Sequence, residues 1–81
     1  GIIYLFDKSG RLLWKYTNPE PFSSVAISDD GNFIVAGSDD HVTYFFDRRG
    51  LLLWRYSADK KIRCVEISED GQLLVTGSDD N

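Results

Sequence analysis

The residues best placed to do chemistry are acidic, and they come in pairs. Asp39 and Asp40 precede His41, and the same Gly-Ser-Asp-Asp run returns with Asp79 and Asp80. Repeated carboxylate pairs on neighbouring loops could form an anionic collar for cations or basic peptides. The competing reading is turn chemistry, since Asp favours turns by hydrogen-bonding its own backbone, and this is the reading favoured. A calcium site needs roughly six oxygen ligands, and no loop supplies that spacing. His41 is the single histidine. A metal or a proton relay would need companions that it lacks, so it reads as a loop residue. Cys64 has no histidine motif near it and reads as a small strand residue rather than a nucleophile. No catalytic residue, metal ligand or cofactor site is expected.

These residues sit in a chain that says nearly the same thing twice. Tyr4-Leu5-Phe6-Asp7 returns as Tyr44-Phe45-Phe46-Asp47, and Val25-Ala26-Ile27-Ser28 returns as Val65-Glu66-Ile67-Ser68. The offset is 40 residues without a gap, and roughly 18 of the 40 paired positions are identical. The chain thus divides into repeat 1 over residues 1–40 and repeat 2 over residues 41–80, within one unit of 81 residues. Each repeat holds four short runs rich in Val, Ile, Leu, Phe, Tyr and Trp, which predict strands over 2–7, 11–16, 23–28, 32–37, 42–47, 51–56, 63–68 and 72–77. Gly10, Gly31, Gly50 and Gly71 punctuate the hairpins at points where a positive φ costs glycine little. Pro19 and Pro21 lie in a link, where no ladder needs their N–H.

Several runs, such as Phe33-Ile34-Val35-Ala36, are apolar on both parities. Strands of that kind are covered on both faces. Four-stranded antiparallel sheets stacked face to face at a 40-residue period describe an all-β propeller.

The bulk numbers narrow the rest. With 81 residues the chain buries a modest core, and its one cysteine cannot form an intrachain disulfide. A lone thiol fits a reducing compartment, so a cytoplasmic location is the expectation on that ground. The net charge of −4, with both signs scattered, argues against nucleic acid as the main partner. No apolar run is long enough for a membrane-spanning helix. Methionine is absent even at position 1, which reads as a trimmed, excised or engineered chain.

The stretch from Gly37-Ser38-Asp39-Asp40 to Phe46-Asp47 resembles the middle of a WD-repeat blade, where a Gly-Ser strand end, an Asp turn and a strand closing on Trp-Asp recur at this spacing. The stretch from Asp47 through Gly50 to Leu53-Trp54-Arg55 is similar to blades of the pyrroloquinoline-quinone-type propellers. The resemblance implies a propeller fold and a binding or scaffold role; a quinone-type relative would add a cofactor site. It departs from the WD pattern at Phe6 and Phe46, which stand in place of Trp, and in the want of a Gly-His pair before the inner strand. The side-chain network of WD blades is therefore expected to be missing, although Asp40 and Asp80 match its aspartate.

By this resemblance the runs at 23–28 and 63–68 are inner strands, those at 32–37 and 72–77 second, those at 2–7 and 42–47 third, and those at 11–16 and 51–56 outermost. The chain then holds one intact blade between two half blades. The acidic loops fall on one face of the ring, and Glu66, in the place of Ala26, is a candidate channel-facing residue. Open strand edges invite pairing with another chain. The expected seam joins Leu73, Leu74, Val75 and Thr76 of one copy to Ile2, Ile3, Tyr4, Leu5 and Phe6 of the next. Two blades per copy allow only even rings, so a homo-tetramer of eight blades is expected, with a trimer or pentamer as alternatives. A fragment of a longer single-chain propeller, binding peptides or a cofactor, is the other reading.

Overall fold

In the computed structural model, which describes residues 1–78, the chain is all strand, and the eight elements fall within two residues of their expected limits. They are β1 (Ile2–Phe6), β2 (Leu12–Thr17), β3 (Phe22–Ile27), β4 (Phe33–Ser38), β5 (Val42–Asp47), β6 (Leu52–Ser57), β7 (Ile62–Ile67) and β8 (Leu74–Ser78). The hairpin glycines Gly10, Gly31, Gly50 and Gly71 all take φ between +73° and +89°. Beside each, an aspartate caps the turn: Asp7 and Asp47 each accept the backbone N–H groups two and four residues on. Asp30 and Asp70 instead join a serine hydroxyl to the N–H of Asn32 and Gln72.

Pairing is antiparallel throughout and splits the strands into three sheets. The central one runs β3-β4-β5-β6, and β1-β2 and β7-β8 are two-stranded. This is the intact blade and the two half blades that the phase of the repeat predicts. The half blades stack on opposite faces of the central sheet, as the alternation of side chains along a strand requires. Ile34 and Ala36 of β4, with Tyr44 and Phe46 of β5, bury against Ile3, Leu5, Trp14 and Tyr16. Val35 and Phe45, on the other parity, bury against Ile62 and Val65. β4 and β5 are accordingly buried on both faces.

One close approach sets the spacing of the second pair of layers. A Cβ at Gly37 would run into the Ile62 side chain and come within 3.1 Å of Val65 Cγ1. Glycine inside a strand marks such a place. At the rims, the Trp14 indole N–H donates to the Arg48 carbonyl at 2.8 Å, and Asp29 N–H donates to the Glu69 carbonyl at 3.1 Å, each tying one blade to the next.

Candidate functional site

The acidic loop between β4 and β5 divides its two aspartates. Asp39 uses its backbone N–H to reach the Pro21 carbonyl at 2.9 Å. Asp40 turns its carboxylate into the protein. Oδ1 accepts from the Ser38 hydroxyl at 2.6 Å and from Val42 N–H at 3.1 Å. Oδ2 accepts from the Tyr44 hydroxyl at 2.6 Å and from Asn18 Nδ2 at 3.2 Å. Asn18 Nδ2 also reaches Ser38 Oγ at 3.1 Å and the Glu20 carbonyl at 3.2 Å. A polar network therefore joins the link after β2, the end of β4 and the strand β5.

That network is of a different make from the one a Gly-His pair would have brought. The missing Gly-His pair does not leave the blade without a side-chain network; Asn18 and Tyr44 supply one with Ser38 and Asp40. Neither residue stood out in the sequence. The available signal was the contrast between Asn18 and its counterpart Ala58, set beside the identity of Tyr4 and Tyr44.

The electrostatics follow from the donors. Burial raises the Asp40 pKa, but the hydrogen bonds from Ser38, Tyr44, Asn18 and Val42 outweigh it, so the carboxyl ionises more readily than an ordinary aspartate. Burial first, and then the Asp40 carboxylate, push Tyr44 up to about 12. Asp7, Asp30 and Asp70 are held below the ordinary range, chiefly by Ser9, Ser28 and the Gln72 N–H respectively.

His41 stands beside this network with φ of 75°, a left-handed conformation that favours glycine. Its N–H donates to the Ser38 carbonyl at 3.2 Å and its carbonyl accepts from Ala58 N–H at 2.8 Å. Asp79 and Asp80 lie outside the described residues. Among the described residues, no three His, Cys, Asp or Glu side chains are grouped to hold a metal ion. Cys64 is exposed opposite Gly77. Glu66 pairs with Val75 and shares with it and Leu73 the open face of the β7-β8 sheet, the face turned away from β4.

The larger feature is the pair of open half blades. Phe6, Tyr4 and Val75 are 55%, 50% and 65% exposed, whereas their counterparts Phe46, Tyr44 and Val35 are 0%, 3% and 0% exposed. Leu73 and Ile2 are exposed with them, while Ile3 and Leu5 face inward onto the central sheet. Beside each open edge lies a cleft. One of about 370 Å³ is walled by Thr43, Trp54, Tyr56, Leu74 and Thr76. The other, of about 220 Å³, is walled by Tyr4, Leu5, Trp14, Val25, Ile27 and Ile34. The first is where a third and fourth strand would continue β7-β8; the second is where two inner strands would precede β1-β2.

No curated protein matches the sequence. A family model for the WD domain, G-beta repeat, matches residues 10–47 and again 50–81. In that phase a repeat begins at the outermost strand of one blade and ends at the third strand of the next, so β2 to β5 form one repeat and β6 to β8 lead into the second. Of the two likenesses read from the sequence, this match supports the WD repeat. With most of its length covered by two such repeats, and with its strands arranged as blades, the chain belongs to the WD40 family.

Proposed function

We propose that this chain is a non-catalytic propeller scaffold that joins copies of itself into a closed ring, the β8 edge of one copy pairing with the β1 edge of the next. WD40 repeats build propeller-type binding modules, and this unit is suited to that role by the two edges it leaves open. The observation that carries the reading is internal. Val35, Tyr44 and Phe46 are buried where β4 pairs with β5, and their counterparts Val75 on β8 and Tyr4 and Phe6 on β1 are exposed.

The intact blade also supplies the register. Ile34 faces Phe46, Val35 faces Phe45 and Ala36 faces Tyr44. Shifted by one repeat, Leu74 faces Phe6 of the next copy, Val75 its Leu5 and Thr76 its Tyr4. The joined sheet β7-β8-β1-β2 then repeats the order of β3-β4-β5-β6. Covering several hundred Å² of apolar surface contributes on the order of 10 kcal/mol per joint, offset in large part by association and ordering. The contact is head to tail, so it must close on itself or grow. Four copies give eight blades, within the usual range for propellers.

Native mass spectrometry at micromolar concentration tests this. A tetramer is expected; a trimer or pentamer would keep the ring and change its blade number. A chain that stays monomeric overturns the reading and leaves both edges to the blades of a longer protein.

A further inference from the structure

Resting on that reading, we infer that an aromatic latch fastens each joint: Tyr56 and Trp54 of one copy close on Tyr4 and Phe6 of the next. The template lies within the chain. Tyr16 sits 5.9 Å from Tyr44 and 4.9 Å from Phe46, and Trp14 sits 5.6 Å from Phe46. These contacts run from the outer strand of one blade to the third strand of the next. All four residues recur unchanged one repeat away, as Tyr56, Trp54, Tyr4 and Phe6.

Both halves of the latch are already set. Tyr4 and Phe6 stack at 6.1 Å and 20°, close to the 6.4 Å and 16° of Tyr44 and Phe46 in the finished blade. Trp54 is stacked on Phe45 at 5.1 Å and stands at the open cleft with Tyr56, which is 69% exposed. A preformed aromatic pair loses little freedom on docking, which favours binding. The indole has a partner as well. Trp14 donates to the Arg48 carbonyl, so Trp54 takes the Lys8 carbonyl of the next copy, with Gly10 of that copy against its ring as Gly50 lies against Trp14. On the wall of the same cleft Thr43 Oγ1 is buried without a hydrogen-bond partner among the described residues. Thr43 and Thr76, both on this cleft, replace the apolar pair Ile3 and Ala36 of the internal interface.

Two substitutions and one optical probe separate the latch from the ring. Tyr56→Ser and, on the opposite surface, Tyr4→Ser should each weaken assembly at least about thirtyfold, as loss of an aromatic hot spot does. The far-ultraviolet circular dichroism of the dilute monomer should stay unchanged. In a Trp14→Phe background, Trp54 emission should shift to the red on dilution from micromolar to nanomolar chain. If both Ser variants assemble like the parent and Trp54 emission does not move while the oligomer dissociates, the latch is wrong and the ring stands. If the parent is monomeric at micromolar concentration, both fall.

Discussion

Tyr44→Phe removes one oxygen atom and leaves an aromatic ring of nearly the same shape. Tyr44 is buried, with Tyr16, Phe22 and Phe46 around it, so the packing survives. What goes is the 2.6 Å hydrogen bond to Asp40 Oδ2 and a longer contact of 3.5 Å to Asn18 Oδ1. Asp40 keeps three donors: the Ser38 hydroxyl, Val42 N–H and Asn18 Nδ2. The carboxylate is not orphaned, and the cost falls near the low end of the range for a hydrogen bond to a charged group, about 1.5–2 kcal/mol. With a slope of about 1 kcal/mol per molar for so small a chain, the urea midpoint should fall by roughly 1.5–2 M.

The pH dependence makes the test specific. The folded pKa of Asp40 lies below the ordinary 3.8 of an aspartate, so the stability it confers is complete above 3.8 and is lost as pH falls through the folded value. Once Asp40 is protonated, the bond from Tyr44 is neutral to neutral, and the gap between variant and parent should narrow toward about 1 kcal/mol. At the alkaline end the sign reverses. Tyr44 is raised from 10.0 to about 12, so its contribution is complete below 10.0 and disappears as pH rises toward about 12, in the parent alone. Urea unfolding followed by tryptophan emission, at one fixed chain concentration, measures all three regimes. Equal midpoints at neutral pH, or a gap that stays as wide as the neutral one once acid has protonated the folded carboxyl, would refute the assignment of Asp40 and Tyr44 as a charged pair.

Gly37→Ala drives a methyl group into Ile62 and Val65, and should cost about 1–3 kcal/mol in thermal unfolding, as overpacking between layers does. His41→Gly relieves a left-handed backbone at φ of 75°; with the extra freedom of the unfolded chain set against it, calorimetry should show a net gain of about 0.5 kcal/mol. In the proposed joint, Glu66 would take the place of Ala26 and meet Phe22, Val25 and Ile27 of the next copy, so Glu66→Ala should tighten self-association about tenfold by analytical ultracentrifugation.

The strands were legible because each is a short β-rich run between turn residues, and because the repeat let every segment be checked against its twin. The phase of the blades was legible for the same reason. The network was not. Asn18 stands at the head of the link that holds Pro19 and Pro21, and nothing local says that its amide reaches Ser38 and Asp40, 20 and 22 residues further on. Asp39 and Asp40 are adjacent and identical in type, yet only Asp40 faces Tyr44, held there by the Ser38 hydroxyl and Val42 N–H, two residues to either side.

Identity between repeats also hid a difference in kind. Tyr4 and Tyr44 are the same residue in the same register, and one is exposed while the other is buried. Their surroundings differ in strand partners. Four of the positions that are not identical change in one direction, whereas Leu5 and Val42, whose counterparts are the larger Phe45 and Ile2, change in the other. Where a contact lies inside the chain the four are Ile3, Ala26, Phe33 and Ala36; where the same contact would lie between copies they are Thr43, Glu66, Leu73 and Thr76. Each exchange puts a smaller or more polar group at the joint. Burying such groups yields less than burying their apolar counterparts. In the proposed ring these four positions weaken the joint relative to the stack within each copy, so on dilution the ring should part at its seams while the three sheets of each copy stay packed.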